Sequence, residues 1–201
     1  MRGLALTLLV VILLLVGACG TPLVEVPLPE LDGVTGVLGY SLAPTLMPEE
    51  FEFKQHDVNE TAGIATISYV RFHDFSYQEI LIMYPLSFSL SISDNPLLES
   101  LLLNWQRPDD AVSEVRVNGE KAHLVYGSWS ADSLMMLVNP DPEFLATYTP
   151  EWDYDMYQSL YCDYTLPSDE TVGVMIRANF NSSGITAKEM VKIAESLQRV
   201  D

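Results

Sequence analysis

Cationic side chains are scarce in this chain: 10 Lys and Arg stand against 28 Asp and Glu in 201 residues, a formal net charge of −18. Binding to nucleic acid is driven largely by cations that release counterions from phosphate, so this balance excludes it as a principal role. Cysteine is scarcer still. Cys19 and Cys162 are the only two, which excludes a disulfide scaffold and a four-cysteine zinc site. Catalytic signatures are missing as well: there is no Gly-x-Ser-x-Gly, no Ser-x-x-Lys, and no His-x-x-x-His spacing among His56, His73 and His123. Long apolar runs are confined to the first twenty residues. With 48% hydrophobic and 19% charged residues, the remainder is too apolar for a disordered chain and long enough for one core.

The opening twenty residues, MRGLALTLLVVILLLVGACG, carry one cation, Arg2, and an apolar stretch from Leu4 to Val16. That stretch is short of the roughly 20 residues a helix needs to cross a bilayer and has the length of a secretion-signal core. Its end, Val16-Gly17-Ala18-Cys19, resembles the lipobox of bacterial lipoproteins, in which small residues precede a cysteine whose thiol accepts a diacylglyceryl group. The resemblance implies that residues 1–18 are a signal peptide and that Cys19 becomes the lipidated first residue of the mature protein. Two or three acyl chains suffice for stable anchoring. Residues 19–36, with Pro22, Pro27 and Pro29, then read as a tether, while the apolar Leu23, Val24, Val26 and Leu28 leave open that part of it docks on the domain. Fully extended at about 3.1 Å per residue it would hold the acidic body on the order of 50 Å from the head groups.

Residues 37–201 read as a single globular domain. Phe51 and Phe53 alternate with Glu52 and Lys54, a turn follows at 59–63, and Ala65 to Phe72 resumes the alternation, which makes a hairpin. Gln78 to Met83 is apolar on both faces and reads as a covered strand. Leu86 to Ser93 alternates leucine, phenylalanine or isoleucine with serine, and Asp94-Asn95-Pro96 opens a short helix through Trp105. A second hairpin turns at Asn118-Gly119, with Val115 on the face of Ala122 and Glu114 facing His123; the same register sets Arg116 against Lys121, a like-charge pair that disfavours it and leaves a longer loop open. Residues 139–170 are irregular in pattern, mixing aromatic and acidic side chains. Val172 to Phe180 is a strand. Thr186 and Glu189 have capping-box spacing, and Met190, Ile193, Ala194 and Leu197 mark one buried face of a helix running to about Arg199. The expected fold is α+β: an antiparallel sheet built from hairpins, with a C-terminal amphipathic helix and one or two short helices packed on one face.

Three segments, Leu46-Met47-Pro48-Glu49-Glu50-Phe51, Val115 to Ala122 and Thr186 to Leu197, are similar to a family of bacterial extracytoplasmic domains of unknown function carried by lipoproteins and anti-sigma-factor-like proteins. The first departs from that family's Leu-Pro-x-Gly-Phe by inserting Met47 and placing Glu50 where glycine is usual. Ser130 to Glu170 has no counterpart and reads as an insertion. The resemblance implies a fold and a setting and supplies no catalytic residues. A more distant similarity connects the chain to lipoprotein carriers whose curved sheet cradles acyl chains.

The candidates for chemistry are few. Cys162 needs a base such as His123 to act as a nucleophile, against the simpler role of a packed thiol. Glu151, Asp153 and Asp155 would share one side of a strand, with Asp141 and Glu143 near in sequence, but the Asp-x-Asp-x-Asp-Gly calcium loop is missing and a solvated face accounts for them. Trp105, Trp129, Trp152, Tyr148, Tyr154, Tyr157, Tyr161 and Tyr164 suit either a recognition surface or the core. No catalytic, metal or cofactor site is assigned, and no cofactor is expected. The sequence thus points to a membrane-anchored, extracytoplasmic envelope lipoprotein with a non-enzymatic binding or sensing domain. A carrier for an apolar ligand comes second and a hydrolase third. The expected partners are the membrane, through Cys19, and an envelope protein or apolar ligand, but not nucleic acid.

Overall fold

The computed structural model describes residues 21–73, 76–86, 108–136, 143, 147–179 and 185–200. The leader, Cys19, most of the serine-alternating stretch and the expected helix from Asp94 to Trp105 lie outside them. In chain order the elements are β1 (Leu23–Glu25), α1 (Asp32–Leu38), β2 (Ser41–Pro44), β3 (Leu46–Pro48), β4 (Glu52–Asn59), β5 (Ile64–His73), β6 (Ser76–Tyr84), β7 (Val112–Val117), β8 (Glu120–Trp129), α2 (Ala131–Met135), β9 (Trp152–Thr165), β10 (Thr171–Ala178), α3 (Ala187–Glu195) and β11 (Leu197–Val200). The domain is mainly antiparallel β with few helices.

Among the described residues, seven strands form one sheet in the order β4-β5-β6-β10-β9-β8-β7, and two ribbons, β1 with β3 and β11 with β2, stand apart from it. Because side chains alternate across a strand, each strand gives one set of residues to each face. Ile67, Ile82, Ile176, Leu160 and Leu124 form one row across five strands, and all are buried. Against that face pack Leu31 and Val34 of the α1 segment, Leu42 and Met47 of the ribbons, and Met190 and Ile193 of α3, closing a single core. Inside it the Tyr84 hydroxyl accepts the Leu42 backbone N–H at 2.8 Å, while the hydroxyls of Tyr40 and Tyr69 are buried without a hydrogen-bond partner among the described residues.

Both hairpins form as the pattern requires. Asn118 and Gly119 take φ of 50° and 87°, the positive values of a two-residue turn that matches strand twist. Arg116 does lie opposite Lys121. Their repulsion is relieved because Arg116 turns to the Gly119 carbonyl at 2.6 Å and Lys121 reaches diagonally to Glu114 at 2.6 Å.

Four expectations need correction. The boundary between 36 and 37 falls inside α1, and of the two readings of the proline-rich segment the docked one is seen over 22–36: β1 pairs with β3, and Leu31 and Val34 are buried. Its prolines sit outside the ladder and the helix, where no backbone N–H is missed. The irregular segment supplies β9, the longest strand at 14 residues, and an interior one. It is therefore part of the sheet, and its polar and aromatic pattern reflects two different environments along one strand. The last helix stops at Glu195, and Leu197, read as its final apolar position, opens a strand paired with β2. Gln78–Met83 is not uniformly covered: Ile80 and Ile82 are buried, Leu81 and Met83 half-buried.

A bulge interrupts β8 and β9. Tyr126 pairs with Gln158 and Ser128 with Asp153, so Gly127 alone opposes Tyr154, Asp155, Met156 and Tyr157. Gly127 takes φ +84°, and a Cβ there would lie 2.4 Å from the Asp153 carbonyl oxygen, so Gly127→Ala should lower unfolding free energy by roughly 2–4 kcal/mol in urea titrations. Thr186 caps α3, accepting the Glu189 N–H at 3.3 Å while the Glu189 carboxylate accepts the Thr186 N–H at 2.6 Å. Thr186→Ala should cost about 1 kcal/mol by the same measurement.

Candidate functional site

The second face of the sheet is built from the residues between the core positions. Arg177 follows the buried Ile176 and lies opposite Leu81 on one side and Ser159 on the other. With Tyr77, Glu79, Leu81, Tyr157 and Asn179 it lines an open cleft of about 210 Å³. Pockets for whole small molecules are typically about 300–1,000 Å³, so this one suits a single head group or ring.

Arg177 is held rather than neutralised. Its Nε donates to Ser159 Oγ at 3.3 Å, an Nη donates to Met175 Sδ at 3.6 Å, and the guanidinium stands 5.3 Å over the Tyr157 ring. Among the described residues, no carboxylate lies within ion-pair distance of it. Glu79 lines the same cleft but is engaged elsewhere, accepting the Tyr77 hydroxyl at 2.8 Å and the Ser68 hydroxyl, both on Oε1. Burial and then the Glu79 carboxylate raise the Tyr77 hydroxyl above its ordinary pKa, so it stays a donor. A guanidinium with free donor capacity, an aromatic wall and a second polar wall is equipped to hold an anion attached to a planar or ring-shaped body.

The residues singled out from the sequence are mostly elsewhere. His123 pairs with Tyr161 and therefore points to that residue's side of the sheet, while Cys162 is buried and points to the other. Burial, then Asp163, pushes the Cys162 thiol up to about 12, the opposite of an activated nucleophile. His56 is exposed on β4 and stacks with Phe53 at 6.4 Å. His73 ends β5, and its side chain is outside the described residues, as are Asp141 and Trp105. Glu151, Asp153 and Asp155 do not converge. Among the described residues no three His, Cys, Asp or Glu side chains gather as a metal-holding set. Glu143 is exposed.

The aromatic residues divide. Trp129 is buried and meets Trp152 edge-on at 5.1 Å, and Trp152 in turn donates its indole N–H to the Tyr126 carbonyl at 3.0 Å, bracing the Gly127 bulge. The Tyr154 hydroxyl donates to Asp110 at 2.8 Å, and that of Tyr148 lies 3.3 Å from Ser133 Oγ. Tyr164 packs against the core. Tyr161, beside Met175, is half-buried. Tyr157 lines the cleft. Sequence reasoning missed Arg177, Tyr77, Glu79, Leu81 and Asn179. One signal was available: Arg177 is the single cation between Lys121 and Lys188, set in an apolar strand.

No protein-family model matches the chain, and no curated protein or solved structure matches it. Among the described residues no helix is long and apolar enough to cross a membrane.

The buried acids set a limit on alkaline stability. Cys162 is pushed up to about 12 by desolvation, and Tyr69 and Tyr84 are raised well above 10 by the same cause. Such groups stay protonated in the fold while the unfolded chain loses protons above its ordinary pKa values. The unfolded state then binds fewer protons, so stability falls as pH rises from about 9 toward 12. Tyrosinate absorbance and circular dichroism followed together should show these tyrosines ionising with unfolding, not before it.

Proposed function

We propose that this protein is a lipid-anchored extracytoplasmic lipoprotein, fastened through Cys19, whose sheet domain is a non-enzymatic binding or sensing module of the bacterial envelope. Its place of recognition is the Arg177 cleft, and its ligand presents a carboxylate or comparable anion on a ring. The Val16-Gly17-Ala18-Cys19 pattern supports the address. The single observation that carries the binding role is an arginine without a carboxylate partner among the described residues, in a chain of net charge −18. Carboxylates are abundant in this protein, and a cation kept from them while donating to a hydroxyl and a thioether is available to an outside anion. The lining of Glu79, Arg177 and Asn179 with two tyrosines favours a polar ligand over an acyl chain, which a carrier would need to bury against apolar walls.

Glucuronate and benzoate serve as anionic probes, with glucose and benzamide as their uncharged counterparts. Calorimetric titration should show the acids binding and the neutral compounds at least tenfold weaker. Arg177→Gln should remove the preference, since a charge-assisted hydrogen bond contributes roughly 1.5–3 kcal/mol. An unchanged melting midpoint would show that this variant is folded. Equal binding of acids and neutral compounds would refute the role of the cleft.

A further inference from the structure

The chain enters the described body at one end, and contacts lead from that point to an exposed aromatic pair. The Pro22 carbonyl accepts the Glu49 N–H at 2.9 Å, Leu23 pairs with Pro48, and the Phe51 N–H donates to the Pro48 carbonyl at 3.1 Å. The Phe51 ring lies 5.0 Å from the Arg71 guanidinium. Next to Arg71, Phe72 pairs with Tyr77 across the tip of the β5–β6 hairpin. Their rings are 5.5 Å apart, and the two residues are 73% and 44% exposed. Lys54, from the irregular step in β4, brings Nζ to 5.0 Å from the Tyr77 ring. Phe72 therefore lies on the order of 20 Å from Pro22, by the span of the few residues in between.

Cys19 is three residues before Pro22, and that length of chain spans at most about 11 Å. We propose that this end of the domain, with exposed Phe72 and Tyr77 near it and Lys54 beside them, rests in the interfacial layer of the bilayer that holds Cys19. The proposal rests on the lipid-anchor reading given above. With Pro22 already tied into the fold, the body has no tether to stand off on. The aromatic rings are of the type that settles at the head-group level, and a lysine beside them can extend its amine to the water. Attachment comes from the acyl chains, so the pair has only to orient a body already held at high local concentration. Charge does not drive the contact: Glu49, Glu50 and Glu52 are exposed at the same end and would be repelled by anionic lipid. Because Tyr77 also lines the cleft, the Arg177 site would open beside the membrane surface.

The test uses the full lipidated protein in phosphatidylcholine vesicles containing a lipid spin-labelled near its head group. An environment-sensitive fluorophore is placed by Phe72→Cys, by Tyr77→Cys, or by Glu60→Cys in the β4–β5 turn. Glu60 is exposed and lies at the far end of the ten-residue β5, roughly 33 Å away. Buried Cys162 does not compete for the reagent. The expected result is severalfold stronger quenching at positions 72 and 77 than at 60, weaker when anionic lipid replaces part of the phosphatidylcholine. Equal quenching at all three positions overturns the proposal. So does an unquenched label at 72 on protein whose lipidated Cys19 is verified by mass spectrometry, including the case where the label is shielded from aqueous quencher by a protein partner. An amino terminus without the diacylglyceryl group overturns the anchor reading itself, and this proposal with it.

Discussion

The register of three central strands decides both what this domain buries and what it offers. Ile176 lies opposite Ile82 and Leu160, and all three are buried. The next residue, Arg177, lies opposite Leu81 and Ser159 on the other face. A slip of β10 by one residue would exchange its two rows, carrying a guanidinium into the core and Val172, Val174 and Ile176 to the surface. The energetic gap is wide, because each buried valine or isoleucine contributes about 1.5–3 kcal/mol and an unpaired buried cation costs several. The core thus fixes the site: the apolar rank that holds the sheet together also aims Arg177 into the cleft.

The same register explains how much was legible beforehand. Asn118-Gly119 and the alternation on either side of it determine a hairpin from local chemistry alone, and the pairing follows residue by residue. The capping of α3 by Thr186 and Glu189 is equally local. The position of β9 was not, because Asp153, Tyr154 and Asp155 belong to a bulged, partly wet end while Leu160 and Cys162 belong to the core. A single strand crossing two environments has no one period. Leu197 satisfied helical spacing from Met190 and yet begins a strand, since burial on the same side can be met by either geometry. The α1 segment carries two glycines and no strong helix former beyond Leu38, so its helix is a product of packing Val34.

The cleft was hidden for a different reason. Its residues come from β6, β9 and β10, which are neighbours only because β10 inserts beside β6 after nearly ninety residues of chain. No local pattern reports a cross-sheet juxtaposition of that kind. The isolation of Arg177 among acids is visible in the sequence, whereas its tyrosine wall is not.

Tyr77 stands where the two readings of the surface meet. Its hydroxyl donates to Glu79 inside the cleft, and its ring is shared by Phe72 on one side and Lys54 on the other. A ring fixed at three points has little freedom to serve one neighbour without registering the other. Contact at the hairpin tip restrains the Tyr77 ring, and that restraint fixes the donor which keeps Glu79 Oε1 occupied. Glu79 keeps its own charge in the cleft, with Oε1 turned to Tyr77 and Ser68 rather than to Arg177. An acidic protein that keeps one arginine available gains from holding the nearest carboxylate in place, and here the holding group is the tyrosine that also faces outward at the end where the chain arrives.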